Sequence, residues 1–190
     1  MPSAVNGTSV TVAGRAAPIV AMGTIAANNP PDYIVAMVPV DTPVGEQDVV
    51  VKTVNGSSAA VKTTVAAQAP SLFFDTEGAI VVRADNLELV RPNAPARAGE
   101  ALALLSTGLG QTTPALATGE IPVAPNVVLG GVTLTVGGQT ATVAGSTVVP
   151  GLPGFYITLF QMPRNVAAGN APVQLRINSV ASNTVMMPVR

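Results

Sequence analysis

The feature that most constrains this chain is an internal repeat. Gly7-Thr8-Ser9-Val10-Thr11-Val12-Ala13-Gly14 aligns with Gly131-Val132-Thr133-Leu134-Thr135-Val136-Gly137-Gly138, a shift of 124 (131 less 7). The shift holds without a gap: Ala17 meets Ala141, Ile19 meets Val143, Pro39 meets Pro163, Gly45 meets Gly169 and Val49 meets Val173. Matches at Ala or Val are expected by chance in a chain rich in both. Agreement of Gly14, Pro39 and Gly45 in one register points to a duplication, and so to two copies of one folded unit.

Each copy reads as short strands joined by turns. Ser9-Val10-Thr11-Val12 and Thr133-Leu134-Thr135-Val136 alternate in the manner of half-buried strands. A Gly turn follows, then Ala17-Pro18-Ile19-Val20 or Ala141-Thr142-Val143-Ala144. After a loop comes an apolar strand, Tyr33 to Val38 or Tyr156 to Met162, stopped by Pro39 or Pro163, which cannot donate to a ladder. Gly45 and Gly169 turn the chain into returning strands, Asp48-Val49-Val50-Val51-Lys52 and Pro172 to Ile177. Asn55-Gly56 adds a tight-turn signal. Ala60 to Val65 and Thr184 to Val189 close the units. Eighteen Gly and seventeen Pro in 190 residues leave no room for long helices. The expectation is an all-β chain of two immunoglobulin-like antiparallel sandwiches.

The copies are unequal. Gly99 to Gly110 reads as a strand entering a Gly-rich turn ahead of the second copy, and its counterpart would fall before Met1. The expected organisation is therefore a partial sandwich over 1–67 lacking its N-terminal strands, a bridging β-hairpin segment over 68–95, and a complete sandwich over 96–190. A sandwich short of a strand exposes an edge. Strand exchange with a neighbouring chain is expected beside residues 9–20 or 60–66. Met1-Pro2-Ser3-Ala4 shows no charged or apolar leader, which suggests a processed precursor or a start inside a longer protein.

The chemical inventory is thin. There is no Cys and no His, which removes thiol nucleophiles, imidazole bases, disulfides and nearly all zinc or copper sites. Nine basic and ten acidic residues give a net charge of −1, too sparse for a phosphate-binding face. No apolar run reaches membrane-helix length. Asp75, Glu77 and Asp85 are the one concentration of carboxylates, and oxygen ligands in a Gly-containing loop could hold calcium, although EF-hand spacing is absent and solvated turn residues are the plainer reading. Asp41, Glu46 and Asp48 around Gly45 read the same way. Lys52 and Lys62 flank the Asn55-Gly56 turn and solubilise it. Tyr33, Tyr156, Phe155 and Phe160 could stack on sugar, yet their strands read as core. Asn6-Gly7-Thr8 and Asn55-Gly56-Ser57 match the glycosylation sequon and also serve as turns. No catalytic, cofactor-binding or metal-ligating residue is assigned, and the chain does not read as an enzyme.

Leu129-Gly130-Gly131-Val132 with Val136-Gly137-Gly138, Ala69-Pro70-Ser71-Leu72-Phe73, Arg97-Ala98-Gly99-Glu100 followed by Thr107-Gly108-Leu109-Gly110, and Phe155-Tyr156-Ile157 leading to Pro163 and Gly169 form an ordered set. In these the chain resembles the uncharacterised C-terminal domain of large secreted proteins from Solibacter and other acidobacteria, which contains units similar to IPT/TIG immunoglobulin-like folds. The resemblance covers nearly the whole chain and departs at the N-terminus, where the family's first Gly-Leu-Gly strand is absent. It implies IPT/TIG-type sandwiches in a secreted or cell-surface bacterial protein and assigns no chemistry. The expected function is a non-catalytic structural or adhesive module, self-associating or joined to neighbouring domains and assembling by strand exchange into fibres. The alternative is a carbohydrate-binding module appended to a secreted enzyme, with an exposed aromatic or Asn/Asp-lined groove. Neither nucleic acid nor a membrane span is expected.

Overall fold

A computed structural model describes residues 1–24 and 32–190. Among them every regular element is a strand, and the pairing between strands is antiparallel throughout. The chain forms two compact units. Unit 1 holds Met1–Ala67 together with Leu116–Ile121, and unit 2 holds Gln68–Ala115 and Pro122–Arg190.

Unit 1 contains β1 (Ala4–Val5), β2 (Thr8–Val12), β3 (Arg15–Ala17), β4 (Ile19–Thr24), β5 (Asp32–Ala36), β6 (Gly45–Thr53), β7 (Gly56–Ser57) and β8 (Val61–Val65). The loop expected between β4 and β5 lies outside the described residues. β2 and β6 form the centre of one sheet; β1 and β3 share the outer edge of β2, and β7 and β8 share the outer edge of β6. β4 and β5 make a separate hairpin. Alternation sets the faces: Val10 and Val12 point inward from β2, where a small core forms with Ala17. Ile34, Ala36, Val49, Val51 and Val65 pack on it while staying partly exposed.

Unit 2 contains β9 (Ser71–Leu72), β10 (Phe74–Asp75), β11 (Gly78–Ala79), β12 (Val81–Arg83), β13 (Ala101–Thr107), β14 (Thr112–Thr113), β15 (Val127–Val128), β16 (Val132–Val136), β17 (Gln139–Val149), β18 (Leu152–Gln161), β19 (Gly169–Ile177), β20 (Val180–Ala181) and β21 (Val185–Val189). β17 turns the corner of the sandwich. Its first residues pair with β16, and from Thr142 onward it pairs with β18, with a bulge between Val143 and Gly145 where the strand changes sheets. β18 lies between β17 and β13. β12 and β9 pair with the far edge of β13, and β16, β19 and β21 form the opposing sheet. Leu102 and Leu104 from β13, Phe160 from β18, Leu134 from β16, Leu175 from β19 and Met187 from β21 are among the residues that fill the core between the layers.

The two units share one pattern of pairing. Val10 opposes Val51 as Leu134 opposes Leu175; Val12 opposes Arg15 as Val136 opposes Gln139; Gly45 opposes Val65 as Gly169 opposes Val189. Even the bulge recurs, between Ile19 and Ala21 in unit 1. The Gly turn also recurs, with Ala13 at φ 53° and Gly14 at φ 73° matched by Gly137 at 58° and Gly138 at 77°, the left-handed pair a two-residue hairpin requires.

Two sequence expectations are corrected. Residues 68–95 are no separate bridge: β9 and β12 pair with β13, and Leu72, Val81 and Val90 are buried, so this segment is part of unit 2. The turn at Asn55-Gly56 is centred one residue earlier, because Thr53 pairs with Gly56 and the loop is Val54-Asn55. Of the expected pair only Gly56 has a positive φ.

Candidate functional site

The difference between the two copies lies at β5. Its counterpart β18 is covered on both edges, by β17 and by β13. β5 pairs with β4 and with no other strand among the described residues. The shift of 124 that carries β18 onto β5 would carry β13 to positions before residue 1.

The main chain shows which groups are left open. Met37 N–H donates to Pro18 O at 2.8 Å, so Met37 faces β4. In unit 2, Met162 N–H donates to Glu100 O at 2.8 Å and its carbonyl accepts from Gly99 N–H, so Met162 faces β13. Strand alternation then places the N–H and C=O of Phe160 and Thr158 toward β13, and those of Ala36 and Ile34 toward the open edge.

Side chains tell the same story. In unit 2 the inward residues Thr158 and Phe160 are 0% and 2% exposed, and the Thr158 and Ser146 hydroxyls share a buried hydrogen bond of 2.8 Å. Their counterparts in unit 1 are Ile34, Ala36 and Met22, all apolar and all only partly buried. On the outer face Tyr33 is 40% and Val35 47% exposed. The hairpin thus presents an apolar inner surface that its own core covers only in part.

The expected edges fare differently. Within 9–20, β2 is an interior strand with neighbours on both sides, while β3 pairs with β2 alone among the described residues. β8, within 60–66, is an edge, but so is its counterpart β21 except for one bridge between Ala96 and Val189. β5 was missed because its loss shows only once β18 is seen between two neighbours.

The carboxylates are committed elsewhere. Asp75 binds Arg91 Nη2 at 2.6 Å and Nη1 at 3.2 Å, and Glu77 meets Arg91 Nε at 3.2 Å. The backbone N–H of Glu77, bonded to Asp75 Oδ1, holds that carboxyl below its usual range, with Arg91 adding to the effect. Asp85 does not join them, and no group of three acidic residues that could hold a metal occurs among the described residues. Arg91 thus pairs with both Asp75 and Glu77, two of the three carboxylates weighed as calcium ligands. Asp41 pairs with Arg15 at 2.9 Å, which lowers its carboxyl, and Lys62 pairs with Asp48 at 2.9 Å and Glu46 at 3.8 Å.

The aromatics form no shared platform. Tyr156 and Phe160 are buried, and Phe155 stacks on Phe73 with ring centroids 5.2 Å apart. Tyr33 stands exposed in unit 1. Sequence reasoning overlooked Phe74, which is 65% exposed at a shallow cleft in unit 2 lined by Asp75, Glu77, Asn170 and Thr184. No helix among the described residues is long and apolar enough to cross a membrane.

No protein-family model and no curated protein matches the chain. Among solved structures it is similar to the Bacteroides ovatus mixed-linkage glucan utilization locus protein SGBP-B, solved in complex with a mixed-linkage heptasaccharide, at 15% identity and a TM-score of 0.33. That match covers 97% of this chain and 37% of the other, so the chain spans little more than a third of that protein's length.

Proposed function

We propose that this chain is a non-catalytic structural or adhesive module of a secreted or cell-surface bacterial protein, and that unit 1 associates with other chains through its open β5 edge to build fibres. The observation that carries the reading is the comparison between copies: the same hairpin, in the same register, has a covering strand in unit 2 and pairs with no further strand among the described residues of unit 1. An edge of unpaired N–H and C=O groups over a partly buried apolar face templates the addition of another strand. Such a contact joins two different surfaces, so it need not close into a ring and can propagate. The secreted setting rests on the resemblance to the acidobacterial domain with its IPT/TIG-like units and on the low charge.

The test is sedimentation velocity over a range of concentration, with amide exchange measured alongside. The expected result is growth of assemblies with slowed exchange at Ile34 and Ala36. A monodisperse monomer at about 1 mM, the weakest association of interest, with unchanged β5 exchange, sinks the reading.

A second reading has one observation in its favour. The cleft beside exposed Phe74, with Asp75, Glu77, Asn170 and Thr184 around it, has the aromatic and polar lining expected of a carbohydrate-binding module appended to a secreted enzyme. Glycan-array binding lost in Phe74→Ala supports it, and silence of the unaltered chain on the array removes it.

A further inference from the structure

We propose that the cleft beside Phe74 takes a short segment of an uncharged glycan and rejects acidic ones, with a sugar ring laid on Phe74 and its hydroxyls bonded to Asn170 and Thr184. This deepens the carbohydrate reading above and rests on it.

The cleft is built into unit 2. The β10–β11 hairpin stands close against β21: a Cβ on Gly78, at φ +126°, would lie 2.6 Å from Met186 O, so only Gly permits this approach. Phe74 and Met186, both exposed, supply apolar lining. The volume of about 350 Å³ is at the small end of the range for small-molecule sites, roughly 300–1,000 Å³, which suits a short glycan segment. The comparison of copies shows what changed on this face. In unit 1 Lys62 pairs with Asp48 at 2.9 Å and with Glu46 at 3.8 Å. The shift of 124 carries these three to Met186, Pro172 and Asn170, and Pro172 opposes Met186 as Asp48 opposes Lys62. Unit 2 thus replaces an ion-pair surface by uncharged residues beside an exposed aromatic ring.

The polar groups match hydroxyls. Asn170 offers an exposed amide, which both donates and accepts. Thr184 Oγ1 accepts from Gln174 Nε2 at 3.3 Å, so its own O–H is oriented outward as a donor. A pyranose presents the complement, with hydroxyls at its rim and an apolar C–H face that packs on an aromatic ring. The charges set the selectivity. Arg91 meets Asp75 through Nη1 and Nη2 and Glu77 through Nε, so all three of its nitrogens are committed to these carboxylates. Two negative charges against one positive leave the cleft net negative, and no basic residue lines it among the described residues. A uronate or sulfate entering here would lose hydration beside like charge and find no cation to receive it. An uncharged sugar exchanges only hydrogen bonds with water.

The test titrates the full chain with cellotetraose, maltotetraose and mannotetraose as uncharged probes, tetragalacturonate as the acidic probe and tetraglucosamine as the cationic one. Binding is read by calorimetry and by amide chemical shifts. An uncharged probe is expected to bind and to shift the amides of Gly78, Asn170 and Thr184, with tetragalacturonate at least about tenfold weaker. Phe74→Ala, at a position 65% exposed and so outside the core, weakens the uncharged probe by about tenfold or more. Raising salt from about 0.05 to 0.5 M changes that affinity less than about twofold, because no net charge is exchanged. Glu77→Gln narrows the gap between the uncharged and acidic probes, because it lowers the negative charge of the cleft. Silence of all five probes overturns both the inference and the carbohydrate reading. Binding that Phe74→Ala leaves intact, or shifts confined to other residues, overturns this site and leaves the carbohydrate reading standing. Tighter binding of tetragalacturonate or of tetraglucosamine than of any uncharged probe overturns the charge selectivity alone.

Discussion

Arg83 offers the sharpest test of how residues 68–95 are built into unit 2. It sits on β12, 9% exposed, and its Nε donates to Glu100 Oε1 at 2.7 Å. Its Nη2 donates to the carbonyls of Ala94 at 2.9 Å and Pro95 at 3.2 Å, and Nη1 reaches Leu89 O at 3.4 Å. One guanidinium thus ties three carbonyls of an irregular stretch to the residue that leads into β13. Arg83→Met keeps the aliphatic stem and removes these bonds. Glu100 then retains one polar partner, the Arg97 N–H at 2.8 Å. Removing one member of a buried ion pair costs about 3–5 kcal/mol. The Glu100 side chain is 20% exposed, so water relieves part of its isolation and the lower end, about 3 kcal/mol, is expected. With a urea slope of about 1.5–2 kcal/mol per molar for a unit of this size, the midpoint falls by about 1.5–2 M. The assay is urea unfolding followed by amide exchange at Leu102 and Leu104, which reports on unit 2 alone. Adding Glu100→Gln to Arg83→Met restores part of the loss, because it removes the stranded charge. A midpoint shift below about 0.5 M, or about 1 kcal/mol, refutes the reasoning and makes this segment a passive covering.

Two further outcomes follow from the packing of unit 1 and unit 2, each taken by itself. Gly108 has φ +74°, and a Cβ there would lie 1.9 Å from Ala69 O, whereas Gly14 has φ +73° with nothing within 4 Å. Gly108→Ala is expected to cost about 3 kcal/mol or more and Gly14→Ala only about 1 kcal/mol, compared by thermal melting; equal losses refute the steric argument. Tyr156 donates from its hydroxyl to Gly110 O at 2.8 Å, and burial raises its pKa above the ordinary 10.0. The neutral phenol is the folded form, so its contribution is complete below about pH 10 and is lost as pH rises through the higher folded value. Tyr156→Phe therefore flattens the alkaline fall in melting temperature, and an unchanged alkaline limb counts against it.

What could be read from the sequence was local. The alternation of Val10 and Val12 and the Ala13-Gly14 turn are properties of a few adjacent residues, and the repeat doubled each signal, whereas β5 ends at Ala36, ahead of the stop expected at Pro39. Alternation also separated inner from outer faces: Leu134, Val136, Val173 and Leu175 are all buried as their spacing requires. What could not be read was pairing between distant strands. Val81-Val82-Arg83 looks like a stray apolar run until β13 is placed beside it, with Val81 opposite Leu104, Val82 opposite Ala103 and Arg83 opposite Leu102. Phe155 reads as a core or sugar-facing aromatic until Phe73 is found against it. The open edge at β5 was invisible for the same reason. Its own sequence is that of an apolar strand, and nothing in Tyr33-Ile34-Val35-Ala36 states how many neighbours it has.

The comparison of copies also bears on what sets the register of the β4–β5 hairpin. If β13 set the register of the hairpin beside it, the hairpin of unit 1, which pairs with no such strand among the described residues, would pair differently from the hairpin of unit 2. It does not: Ile19 opposes Ala36 as Val143 opposes Phe160, and the bulge falls at the same place. The register is therefore set by contacts both copies keep, namely the Gly turn, the bulge and the inward residues facing β2 or β16. A one-residue slip would turn Ile34 and Ala36 outward and leave Val10, Val12 and Ala17 facing Tyr33 and Val35, exchanging an aliphatic core contact for a bulky one. That penalty acts whether or not a covering strand is present. The backbone of β5 consequently holds the register that β18 holds beside β13, and the strand addition proposed above would need no reordering of the hairpin.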